Sequence, residues 1–149
     1  MTFQQLNAEN NLQEIIKSAF DADLPISGSW GYTKSLVTIL GVSDIPLTQL
    51  EHMFASMRAY IEMNMTQAKA TRYGSINLNE NSRETFTIDN SMYHKITYDV
   101  TAMKESIYAT FIEEYKEHYG KEGFDLSLHF QKRKEATLHR EVVHWYKIN

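Results

Sequence analysis

The chain has no cysteine, only two prolines and six glycines, and no long apolar run. Without thiols there is neither a disulfide nor a thiolate metal site, so no oxidising compartment is needed. The longest apolar stretch, Leu36-Val37-Thr38-Ile39-Leu40-Gly41-Val42, falls far short of the ~20 residues that span a bilayer, and no membrane partner is expected. Met1 to Gln5 lacks the basic and apolar regions of a secretory signal, which makes the cytoplasm the expected location. A surplus of positive charge is missing too: 15 Lys+Arg stand against 19 Asp+Glu, a formal charge of -4. What is present, 149 residues of which 42% are hydrophobic, suits one domain over residues 1–149 that buries roughly 68–70% of its unfolded surface.

Divided along the chain, the charge is less bland. Residues 1–66 carry -4, residues 67–98 +1, residues 99–130 -4 and residues 131–149 +3. Acidic and basic blocks therefore alternate.

Apolar residues at spacings of three and four predict three helices. Leu12, Ile15, Ile16 and Ala19 share a face ending near Asp21, and Thr2 with Gln5 offers an earlier cap. After Pro46, Thr48-Gln49-Leu50-Glu51 has the capping-box pattern, and Leu50, Met53, Phe54, Met57, Tyr60 and Ile61 form a stripe running to about Met65. Asp99 or Thr101 caps a third helix, in which Ile107, Tyr108, Phe111, Ile112, Tyr115 and Tyr119 face one way and Gly120 stops the helix. Elsewhere the period drops to two. Ser35 to Val42 reads as a strand covered on both faces, while Gly74–Leu78, Arg83–Ile88 and Ser91–Tyr98 read as a three-strand meander. Phe124 to Phe130 alternates as a strand, a basic loop follows at Gln131–Glu135, and a last strand runs from about Thr137 to Tyr146. The expected plan is α+β: a largely antiparallel sheet of about five or six strands, in the order α-β-α-β-β-β-α-β-β, with helices on one face.

Known catalytic patterns are approached but not met. Gly28-Ser29-Trp30-Gly31-Tyr32-Thr33-Lys34-Ser35 puts Thr33 where a phosphate-binding loop needs glycine, and a strand follows where that loop needs a helix. Ser27-Gly28-Ser29-Trp30-Gly31 misses the nucleophile elbow for the same reason. A glycine-relaxed turn before a buried strand is the reading these residues favour. His139 and His144 are five apart, which on a strand puts them on opposite faces, so no metal site is expected there. If Phe124–Phe130 paired with the last strand, His129 would join His139 and Glu141 as acid–base or metal-binding groups of a small enzyme. No cofactor is indicated. Lys132, Arg133, Lys134 and Arg140 form a basic patch, but the net charge and two acidic helices argue against a nucleic-acid partner.

Nine tyrosines and two tryptophans supply amphipathic aromatics of the kind found in interfaces, and Tyr32, Tyr73, Tyr93 and Tyr119 fall at turns or on polar sides. Beside them, acidic helix faces would steer a basic protein. The combination is similar in general properties to immunity proteins that neutralise basic nuclease toxins, though no motif identifies a family. The expected function is thus a protein-binding module, immunity- or antitoxin-like, acting through Glu113, Glu114, Glu117 and Tyr119 by occluding a basic partner. The rivals are the small enzyme just described and a homodimeric or chaperone-like protein that pairs through an open strand edge.

Overall fold

The computed structural model describes residues 3–7 and 11–148. Helix α1, Leu12–Phe20, starts where the Asn11 side chain accepts hydrogen bonds from the amides of Gln13 and Glu14, and stops at Asp21 in a left-handed conformation. Thr2 lies outside the described residues and Gln5 is in irregular chain, so α1 begins at this later cap. Strands β1, Ile26–Gly28, and β2, Thr38–Leu40, follow. Next come α2, Leu47–Tyr60, which continues as one π-helical segment over Ile61–Met65, and a short 3₁₀ turn at Lys69–Thr71. The long strands β3, Tyr73–Ile88, and β4, Ser91–Lys104, lead to α3, Glu105–His118, and α4, Leu126–Glu135; β5, Leu138–Ile148, ends the described chain.

The fold is α+β. Its five strands form one open sheet in the order β1-β2-β5-β4-β3, antiparallel except between β2 and β5. One face, carrying Leu40, Val142, His144, Tyr146, Ile96, Tyr98 and Val100, is buried against Leu50, Phe54 and Ala55 of α2 and shares a continuous core with Leu12 and Ile16 of α1. The other face keeps partial exposure at Phe86, Tyr93, Lys95, Val143, Trp145 and Lys147.

Several local expectations are corrected. The predicted meander is a two-strand hairpin, because Asn79-Glu80-Asn81-Ser82 forms a bulge inside β3 where a turn was expected; the turn is Asp89-Asn90, both residues at positive φ as a two-residue hairpin requires. Phe124–Phe130 is no strand: the Asp125 side chain accepts from the Leu128 amide and caps α4. Asp99 and Thr101 lie within β4 and cap nothing. The strand expected at Ser35–Val42 shrinks to three residues, with Leu36 and Val42 exposed beyond its ends.

The capping box of α2 does not form either. Pro46 precedes the helix and no side chain caps it. Glu51, the residue meant to reach back, points into the core instead.

Candidate functional site

Helix α2 and its π segment turn three charged residues, Glu51, Arg58 and Glu62, inward at spacings of seven and four, so they share the core-facing side. Each is matched. Glu51, fully buried, receives the Nδ1–H of His94 at 2.7 Å and a guanidinium N–H of Arg83 at 3.1 Å. Because Nδ1 carries a single proton and gives it to Glu51, its 3.2 Å approach to Arg83 is a contact only. The β3 bulge creates this arrangement: it shifts the alternation by one, so that Arg83 comes to the same face as Glu80 and binds it at 2.8 Å as well. That hydrogen bond holds the Glu80 carboxyl below its usual range.

Arg58 donates to the backbone carbonyls of Trp30 and Val143, at 3.1 and 3.0 Å, and lies over the Tyr32 ring. Glu62 receives the Tyr32 hydroxyl at 2.5 Å and Arg140 at 3.1 Å. Burial and the Glu62 charge push the Tyr32 phenol well above its usual value. Beside this trio is a cleft of about 350 Å³, over which the amino-terminal segment is tied down by the Leu6 amide on Tyr32 and by Phe3 beneath Arg140.

The glycine-rich segment behaves as a packing element. Trp30 is buried and stacked on Phe54 at 5.7 Å, and Gly31 crosses so close to β5 that its carbonyl accepts from the Trp145 amide at 2.7 Å. Thr38 gives its hydroxyl proton to the Ser29 carbonyl, so His144, 2.9 Å away through Nε2, must be the donor to Thr38 and is neutral with its proton on Nε2. Burial, with Arg58 nearby, lowers the His144 pKa well below 6.5. The unfolded chain takes up that proton below about pH 6.5 and the folded chain does not, so stability present at neutral pH is lost as pH falls. Between pH 6.5 and 5.5 His144 is expected to remove about 1 kcal/mol of unfolding free energy, and His144→Gln to abolish that loss, read by urea unfolding at the two pH values.

Helices α3 and α4 pair as an arm at the end of the sheet where β4 stops and β5 starts. His129 of α4 is the hub of their contact, 1% exposed and ringed at 5.3–5.7 Å by Phe111, Tyr115, Phe124 and Phe130. Glu114 leans inward to 3.7 Å from its Nδ1. Glu113 and Glu117 point away from this contact and, with Tyr108, Ala109, Ile112 and Lys116, line a groove of about 450 Å³. Tyr119, 61% exposed, caps α3 and stacks on Tyr115 at 4.9 Å. Ile107, Leu126, Leu128 and Phe130 are exposed as well, so half of the large apolar side chains exposed among the described residues belong to this arm.

Comparison of the chain with protein-family models, with curated proteins and with solved structures finds no match. Its chemistry has to be read from its own residues. Of the partner-binding residues expected from sequence, Glu113 and Glu117 line one groove and Tyr119 is exposed at the end of the helix, while Glu114 is drawn toward His129. The other trio is not assembled: His129 is inside the arm, whereas His139 and Glu141 lie on β5 beside Asp99 and Arg140. The strand meant to join them is helix α4. Among the described residues no group of three His, Asp or Glu stands close enough to hold a metal ion, and no helix is long and apolar enough to cross a membrane. The charged spine of α2 does not stand out in sequence, because charged residues on an amphipathic helix ordinarily mark its solvent side. Its one sequence signal was the spacing of Glu51, Arg58 and Glu62.

Proposed function

We propose that this chain is a protein-binding module that holds a basic partner on the outer face of the α3–α4 arm, in the manner of an inhibitor whose action is occlusion, with no bond made or broken. The observation that supports this reading most directly is α3 itself. It is 14 residues long and apolar at Ile107, Tyr108, Phe111, Ile112 and Tyr115, yet holds no buried residue. A helix gains its stability from burying such a stripe, and exposed apolar patches rimmed by polar groups mark interaction surfaces. The groove beside Ile112 carries Glu113 and Glu117 against one Lys116, a negative balance that attracts a basic surface and speeds its approach.

The test is capture from a host lysate at low and high salt, comparing the unaltered protein with Ile112→Asp and with a Glu113→Lys/Glu117→Lys variant. A stoichiometric basic protein is expected, released as salt rises. Ile112→Asp is expected to weaken it by about 30-fold, equivalent to about 2 kcal/mol, and the charge variant to slow association. Equal retention by all three proteins would overturn the reading. A dimer in light scattering that Ile112→Asp dissolves would assign the groove to a second copy of the chain.

A further inference from the structure

The sheet face opposite α2 carries an arrangement that no single stretch of sequence displays. Cross-strand pairing places Lys147, Tyr93 and Phe86 in one row across β5, β4 and β3, and Trp145, Lys95 and Glu84 in the next. Rings and cations interleave there. Phe86 and Trp145 reach across β4 to stack at 5.7 Å with their planes 22° apart, the Lys95 ammonium is 5.5 Å from the Trp145 ring, and Lys34 comes from the loop before β2 to 5.8 Å from the Tyr93 ring. All six side chains keep solvent exposure, while their neighbours on the opposite face, His94, His144 and Tyr146, are buried. Glu84 is the single acid in these two rows, and the next acids, Asp99 and Glu141, face each other two rows further along.

We infer that this face binds single-stranded RNA, bases on Phe86, Tyr93 and Trp145 and phosphates on Lys34, Lys95 and Lys147. Four considerations choose that occupant. Lysine is depleted from the cores of protein interfaces, which argues against a protein seated here. Aromatic rings stack on any base once it is unpaired, and lysines beside them neutralise the backbone, which is how unpaired nucleic acid is held without sequence readout. A broad sheet face presents no helix or narrow ribbon for the groove of a duplex. The adjoining row supplies hydroxyls from the cross-strand pair Thr97 and Ser82, donors and acceptors suited to the ribose 2′-hydroxyl, and this favours RNA over DNA. The basic run at residues 132–134, the feature that first suggested nucleic acid, is not part of the face: it belongs to α4, where Arg133 covers Tyr108 and Phe130.

Fluorescence anisotropy of a labelled oligouridine of about ten nucleotides with the full chain tests this. Binding is expected to weaken with salt with a log–log slope near -2, since three phosphate contacts each contribute about 0.7. Lys34→Glu/Lys147→Glu, at side chains that keep solvent exposure, is expected to lose at least about tenfold in affinity at low salt. Trp145→Ala is expected to lose about tenfold, and because Trp30 is buried, quenching of the half-buried Trp145 indole reports stacking in the unaltered protein. No anisotropy change at low salt, or binding by the Lys34→Glu/Lys147→Glu protein equal to that of the unaltered one, would overturn the proposal; equal binding of a duplex or of the matching DNA strand would overturn its assignment to single-stranded RNA.

Discussion

Glu51→Ala is expected to lower the unfolding free energy by about 3–5 kcal/mol, a large part of what a domain of this size possesses. The carboxylate is wholly buried, and its removal leaves the His94 N–H and one arm of Arg83 facing a cavity that gives no hydrogen bond in return. The magnitude separates this group from its neighbour. The Glu80–Arg83 pair has 41% and 26% exposed side chains and is screened by solvent, so Glu80→Ala is expected to cost no more than about 1 kcal/mol. Urea unfolding at neutral pH reads both, with the slope unchanged. If His94→Ala costs much less in the Glu51→Ala protein than in the unaltered one, the two side chains act as a unit. A Glu51→Ala protein within about 1 kcal/mol of the unaltered chain would mean that water reaches the group.

Gly31→Ala is expected to cost about 3–4 kcal/mol, from a left-handed backbone and an overfilled site together. Gly31 has φ of 84°, and a methyl group there would come within 2.2 Å of His144 Cδ2, 2.3 Å of its Nε2 and 2.9 Å of the Trp145 carbonyl oxygen. None of these can step aside. His144 is held by Thr38 and stacked on Tyr146 at 4.2 Å, and the Trp145 amide is bonded to Gly31 itself. Gly120→Ala is the control: it has φ of 78° but nothing within 4 Å, so only the backbone cost of about 1 kcal/mol applies. Equal losses at the two glycines, measured by thermal or urea unfolding, would show that the crowding against His144 is absent. The comparison also bears on the glycine-rich segment, whose resemblance to a phosphate loop gives way to a crossing that only glycine can make.

How far the sequence could be read depended on where each signal resides. Helices α1 and α2 were legible from the spacing of Leu12, Ile16, Leu50 and Phe54, because a core-facing stripe is a local pattern. The end of α3 was legible too, at Gly120 with its positive φ. Phe124 to Phe130 was misread since alternation over seven residues fits a strand, while the decisive feature was one side chain, Asp125, capping the helix. The bulge at Asn79–Ser82 escaped for a related reason: the same residue types serve turns and bulges, and pairing with β4 decides between them. The exposure of Glu113 and Glu117 was legible because an amphipathic helix shows its polar side in sequence. The Glu51–His94–Arg83 group and the aromatic–lysine face were invisible, since their members are brought together only by strand register.

The sheet order has a kinetic side. Strand β5 is encoded after every other strand, yet it occupies the middle of the sheet, and the hydrogen bond between Thr38 and His144 joins residues 106 positions apart. Until residues 138–148 emerge, the β1–β2 pair and the β3–β4 hairpin are separate pieces, each ending in a row of unsatisfied amides and carbonyls, and only one segment of the chain can bridge them. Completion of the sheet therefore waits on a single distant pairing, and a chain lacking it leaves the facing edges of β2 and β4 open to addition by a neighbouring polypeptide.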